Sequence, residues 1–182
     1  AKYKFFGRDI LFLLLLITMM IPTELNITPL YLMFSKMKWL NTYYVQIFPG
    51  IANVFSLFLM RQFMLTIPDS LIEAARIDGA GDFFIFRRII LPISTPSSGA
   101  LAILQFLSKW NELIMPRIML TKQQLMPIMV ILPTLNEMEY ARAVPWELVL
   151  AGCTLVTIPL IIVFLLFQNK FLDSVTLGAI KG

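Results

Sequence analysis

The sequence contains no histidine and a single cysteine, Cys153. The first absence removes imidazole acid–base chemistry and the commonest protein ligand of transition metals. The second excludes an intramolecular disulfide. Cys153 itself sits inside an apolar run and leaves the redox compartment unread. Charge is also scarce: Asp, Glu, Lys and Arg make up 14% of the chain, against about 25% in soluble domains. There is no G-x-x-x-x-G-K-[ST] phosphate loop, so nucleotide phosphates cannot be cradled by that route. No nucleophile–base set is visible, and the basic residues are dispersed rather than gathered into a nucleic-acid patch. These absences point away from an enzyme, a metal protein, a resident cofactor or a nucleic-acid partner.

What is plentiful is apolar. Hydrophobic residues account for 58% of the 182 positions, where a soluble domain has about 45–50%. The expected fold is all-α, a polytopic membrane helical bundle. A bilayer core needs about 20 apolar residues per helix, and four stretches qualify, at about 10–34, 43–60, 98–120 and 148–167. Pro22 and Pro29 are expected kinks in the first, and Pro159 is tolerable inside the last. Lys2, Lys4 and Arg8 before the first apolar run mimic a secretory signal, but no small-residue cleavage site follows. The chain therefore reads as starting partway through a longer polypeptide, a single partial domain over 1–182.

Four spans place both chain ends and the loop at about 68–96 on one side. Lys2, Lys4, Arg8, Arg61, Arg76, Arg87, Arg88, Lys170 and Lys181 lie on that face, while Lys36, Lys38, Arg117, Lys122 and Arg142 lie on the other. The more basic face is expected to be cytoplasmic, which puts the C-terminus there too.

The 68–96 loop is charged and broken by glycine, unlike the rest of the chain. Ser70-x-x-Glu73 fits a capping box, and the spacing predicts a helix of about two turns over Leu71–Asp78, ended by Gly79 and Gly81. A helix that short needs a docking surface to persist. Leu71, Ala74, Ala75 and Asp78 fall near one another at helical spacing, and the two alanines suggest a flat patch for a partner. Asp82–Ile90 is aromatic and ends in Arg87-Arg88, a composition suited to the membrane interface and anionic headgroups. The plainer reading is an amphipathic surface loop.

In order, the loop reads Glu73-Ala74-Ala75, then Gly79 three residues on, then Ile89-x-Leu91-Pro92. That spacing resembles the EAA loop of ABC importer permeases. Leu59-Met60-Arg61-Gln62-Phe63, Ile67-Pro68, Ala75–Ala80 and the ending Thr176–Gly182 resemble the maltose-type carbohydrate branch, in the position of its G subunit. The resemblance implies that Glu73, Ala74, Ala75, Asp78, Gly79, Ile89, Leu91 and Pro92 couple the membrane subunit to an ATPase, and that the visible spans are the last four of six. It further implies a bacterial inner-membrane location and three partners: an ATPase subunit dimer that consumes the ATP, a second homologous permease and an extracytoplasmic solute-binding protein. The implied cargo is a sugar or polyol. Another solute, such as a glycerophosphodiester or an amino acid, and a non-energised scaffold or channel are the alternatives.

Lys109-Trp110-Asn111-Glu112 falls within the third apolar stretch, where ionisable groups are costly and usually face a bundle interior or a water-filled path. They read either as lining of a translocation path, with Trp110 a stacking surface for a sugar ring, or as an intrahelical Lys109–Glu112 pair. Trp-Asn-Glu through Pro116 again resembles the carbohydrate branch. Glu24 and Asn26 read as outer-end residues, and the loop carrying Glu137, Glu139, Tyr140, Arg142 and Trp146 reads as either a solvated connection or a contact for a delivering protein.

Overall fold

The computed structural model describes residues 1–137 and 146–179, with side chains described for 1–134 and 146–168. Glu139, Tyr140, Arg142 and Lys181 lie outside the described residues. Among the described residues every regular element is helical, in agreement with the all-α expectation. The chain divides into two compact units. One comprises Ala1–Met20, Val54–Leu104 and the chain from Phe167; the other comprises Ile21–Asn53 and Gln105–Leu166.

In the first unit, α1 (Arg8–Thr18) starts after Gly7, whose φ of +80° turns the chain into the helix, and stops before the Ile21-Pro22 step. A residue preceding proline is pushed out of helical geometry, which accounts for the stop. Phe12 stacks on Phe58 of α4 (Val54–Thr66), and the Arg61 guanidinium lies 3.8 Å over the Phe12 ring while donating to Asp9. After Pro68 comes α5 (Asp69–Ile77), then the single turn α6 (Asp82–Ile85), a π turn at Phe86–Ile90, α7 (Leu91–Ile93) and α8 (Thr95–Trp110), whose residues from Gln105 on belong to the second unit. Pro92 and Pro96 each occupy a first helical turn, where a missing N–H costs nothing. The chain bends by 66° between Asp82–Ile93 and Thr95–Trp110.

In the second unit, α2 (Ile27–Lys36) accepts Pro29 in its first turn, so this proline bends nothing, while Pro22 ends up in the break before a 3-10 turn at Thr23–Asn26. Next comes α3 (Tyr44–Ile51), and later α9 (Ile114–Met119), α10 (Ile128–Glu137) and α11 (Trp146–Ala179). Phe34, Val45, Met119 and Leu120 form the core. Trp39 stacks with Phe34 and contacts Tyr44 and Phe48. Asn41, held at φ +59°, accepts three hydrogen bonds on Oδ1, from the Thr121 amide and hydroxyl and from the Lys122 amide. That one side chain stitches the turn after α2 to the turn after α9.

Among the described residues two stretches are long and apolar enough to cross a membrane, Tyr44–Thr66 and Trp146–Gln168. Two bent pairs, Arg8–Thr18 with Thr23–Lys36 and Asp82–Ile93 with Thr95–Trp110, pass only if each pair is one span. The stretch expected at 98–120 consists of the end of α8 and α9, separated at residues 111–113. The helix α11, 34 residues, would be about 50 Å long at 1.5 Å per residue, longer than the hydrocarbon core.

Gly152 lies tight against Leu132 of α10: a Cβ there would lie 2.2 Å from Leu132 Cδ2. Substituting Gly152→Ala should destabilise the protein by about 1–3 kcal/mol through overpacking. Leu132→Ala in the same chain should recover much of that loss, a coupling that a double-mutant cycle by thermal melting in detergent would measure.

Candidate functional site

The 68–96 loop is built around α5. Pro68 precedes it in extended geometry and makes no side-chain cap. The capping box expected at Ser70–Glu73 does not form, because the helix starts earlier, at Asp69, and carries Ser70 into its first turn. At the other end the expectation at Gly79 holds in detail. The Ala80 amide donates to the Ala75 carbonyl at 2.9 Å, the Gly79 amide to the Arg76 carbonyl at 3.0 Å, and Gly79 has φ +80°. This is a Schellman closure, which satisfies two carbonyls the helix end leaves open. Gly81 has a different part: it is extended, at φ −73°, and opens α6.

The two alanines separate. Ala75 is only 9% exposed and packs with Ile67, Ile85 and Ile90, joined by Ile72, Ala80 and Ile89. Ala74 is on the surface with Glu73 and Asp78. The flat two-alanine patch is therefore corrected to one inward alanine that lets α5 lie close to its own loop, and one outward alanine. Ile77, which the sequence reasoning passed over, is 86% exposed. Apolar spacing could have found it, since it is the only large apolar residue in the second half of α5. Leu91 is exposed, and Pro92 lies in the first turn of α7.

The N-terminal strap was not anticipated as part of this site. Lys2 donates to the Ile67 carbonyl and to Asp69 Oδ1, the latter at 2.8 Å. That hydrogen bond, with the ammonium charge behind it and Lys4 nearby, holds the Asp69 carboxyl below its ordinary range. On the other flank Arg76 donates to Asp82 at 3.1 Å, and Asp82 raises the guanidinium above its usual value. Strap and helix line an open cavity of 510 Å³, to which Lys2, Lys4, Asp69, Glu73 and Arg76 contribute together with Ile85 and Ile90. Glu73 has no hydrogen-bond or ion-pair partner among the described residues.

The second group of expected site residues closes α8. Lys109 Nζ donates to Glu112 Oε2 at 2.8 Å, with the two side chains 39% and 26% exposed. The Trp110 indole donates to the Val156 carbonyl at 3.2 Å and stacks on Phe106 at 5.4 Å, so one edge and one face of the ring are in use. Asn111 donates its side-chain amide to the Leu107 carbonyl and caps the helix. Lys109 and Glu112 are thus brought together, while Trp110 and Asn111 anchor the helix end. Glu24 and Asn26 lie in the exposed 3-10 turn before α2.

Comparison with known proteins gives a consistent answer. The family model described as binding-protein-dependent transport system inner membrane component matches residues 1–176. The arabinooligosaccharides transport system permease protein AraQ of Halalkalibacterium halodurans is 38% identical over 182 residues, covering 100% of this chain and 64% of the relative. Its Bacillus subtilis counterpart is 35% identical with the same coverage. The sn-glycerol-3-phosphate transport system permease protein UgpE of Brucella abortus is 35% identical over 94% of this chain and 61% of its own length. The chain thus spans less than two thirds of these relatives. A crystal structure of a bacterial ABC transporter involved in the import of the acidic polysaccharide alginate matches in fold, with TM-score 0.76 and 24% identity, over 94% of this chain and 64% of that one.

The loop geometry leads to two expectations. Gly79→Val should loosen α5 by about 1–2 kcal/mol, because φ +80° is costly for a residue with a Cβ. Gly79→Asn should cost less, and Gly81→Ala should change little. Amide exchange across residues 69–80 would rank the three. The strap should respond to acid: a carboxyl with a lowered value stabilises the fold above its ordinary range and ceases to do so as pH falls through the lowered value. A nitroxide at Phe5 should accordingly gain mobility by electron paramagnetic resonance at acid pH, and Asp69→Asn should make it mobile throughout.

Proposed function

We propose, for a chain that belongs to the binding-protein-dependent transport system inner membrane component family, that it is the membrane-spanning permease subunit of a bacterial ABC importer for a sugar or related polyol. Transport proceeds by alternating access. A separate ATPase subunit grips α5, and closure of the ATPase dimer around ATP moves α5 and the spans attached to it. The observation that carries this reading is the division of α5 into two faces. Ile72 and Ala75 fix it to its own loop, while Glu73, Ala74, Ile77 and Asp78 remain outward. A short exposed helix with one apolar side chain and two carboxylates is a grip for another protein.

The partners on this reading are the ATPase dimer, a second homologous permease and an extracytoplasmic solute-binding protein. The orientation follows from it: loop and C-terminus on the cytoplasmic side, where the basic majority also lies. Lys109 and Glu112 belong to the translocation path, and Trp110 and Asn111 hold the helix end that presents them. A glycerol-phosphate solute is the second reading, favoured by the similarity to the Brucella permease named for sn-glycerol 3-phosphate.

Glu73→Lys should abolish uptake while ATP hydrolysis by the assembled complex continues, and Gly79→Val should reduce coupling by a smaller factor. Radiolabelled uptake and phosphate release, measured on the same proteoliposomes, separate the two quantities. Wild-type transport by both variants, or failure to recover an ATPase subunit from gently solubilised membranes, would overturn the assignment.

A further inference from the structure

Two helix ends meet in the second unit. Helix α3 stops at Ile51, with Ala52 at φ −101° and ψ 76°, and α8 stops at Trp110. They touch through Gly50 and Lys109: a Cβ on Gly50 would stand 3.0 Å from Lys109 Cε and 3.8 Å from Nζ. The lysine stem therefore lies in the notch left by the missing side chain, and its ammonium is directed to Glu112. One helical turn before Gly50, on the same face of α3, is Gln46. Its Nε2 is buried and without a hydrogen-bond partner, a state that costs about 1–3 kcal/mol unless something fills it. Interrupted helices at membrane depth occur where the freed backbone lines a cavity, and they commonly present a solute site there.

We propose that Gln46, Gly50, Lys109 and Glu112 form a solute site of zero net charge in this subunit, built for the hydroxyls of an uncharged sugar or polyol and against a phosphate ester. The proposal rests on the permease reading above. Lys109 spends one of its three donors on Glu112, and the carboxylate keeps further lone pairs free. With the amide of Gln46 the site offers donors and acceptors in the mixture that vicinal hydroxyls satisfy. A phosphate would have to draw Lys109 away from Glu112 and leave that carboxylate partly desolvated and unpaired, which is strongly unfavourable. Gly50 acts as a positioning residue: it sets where the ammonium stands and touches no solute itself.

The test uses the assembled importer, with full-length permease, partner permease and ATPase in nanodiscs and no binding protein. Equilibrium binding of radiolabelled uncharged sugars and polyols (arabinose oligomers, maltose, sorbitol) is compared with that of sn-glycerol 3-phosphate. At least one uncharged solute should bind about tenfold or more tighter than the phosphate ester. Glu112→Gln frees the Lys109 charge and should lower that ratio by about tenfold or more, Gly50→Leu should move it in the same direction, and Gln46→Leu should weaken only the uncharged solute. A ratio unchanged in Glu112→Gln, a native preference for glycerol 3-phosphate, or no binding of either solute by a complex that retains its ATPase would overturn the site. Loss of the ATPase from the native complex would instead overturn the permease reading beneath it.

Discussion

The contact between Ala75 and the Ile67–Ile85–Ile90 cluster is the constraint on which the loop depends. A helix of nine residues is not stable by itself in water, since nucleation is unfavourable and too few hydrogen bonds follow to offset it. Burial of Ala75 and Ile72 supplies the missing stability, and the small side chain at 75 allows the approach. Ile67 directly follows α4, and Ile85 and Ile90 lead towards α8. The cluster therefore fixes α5 to the chain on both sides. Lys2 adds a third tether, through the Ile67 carbonyl and Asp69.

The opposite face follows from the same packing. Once Ile72 and Ala75 point inward, helical geometry leaves Glu73, Ala74, Ile77 and Asp78 outward. The Schellman closure at Gly79 ends the helix before it could extend, so the outward face stays two turns long. Ile77, 86% exposed, and Glu73, without a hydrogen-bond or ion-pair partner among the described residues, both lie on that face.

The loop was legible in the sequence because its signals are local, and so were the apolar stretches at about 43–60 and 148–167, whereas those at about 10–34 and 98–120 are broken in the structure. Glycine at 79 is demanded by a positive φ, and long apolar runs are demanded by lipid. What was not legible is tertiary. Spacing put Ala74 and Ala75 together on one patch, but only the position of Ile85 and Ile90, ten and fifteen residues on, decides which alanine turns inward. The capping box at Ser70–Glu73 competed with Pro68, which starts the helix two residues too early for the serine to cap it. The Lys109–Glu112 pair was visible from its three-residue spacing, whereas Gly50 and Gln46 were not. Their importance depends on a neighbour almost sixty residues away, and an isolated glycine or glutamine in an apolar run carries no local mark.

The energetics of the Lys109–Glu112 pair bear on what it is for. Within a partly apolar bundle, the attraction between two charges is largely cancelled by the cost of removing them from water, and well-packed apolar side chains of similar volume are commonly as stable or more so. A salt bridge there is therefore a poor device for holding α8 in place. The anchoring there is already done by Trp110 on the Val156 carbonyl and by Asn111 on the Leu107 carbonyl. Both charged side chains also retain partial exposure, so the pair is neither sealed into the core nor free in solvent. Two half-open charges that cancel, beside a glycine notch and one turn from an unpartnered amide, are better explained by what they can hydrogen-bond than by what they hold together.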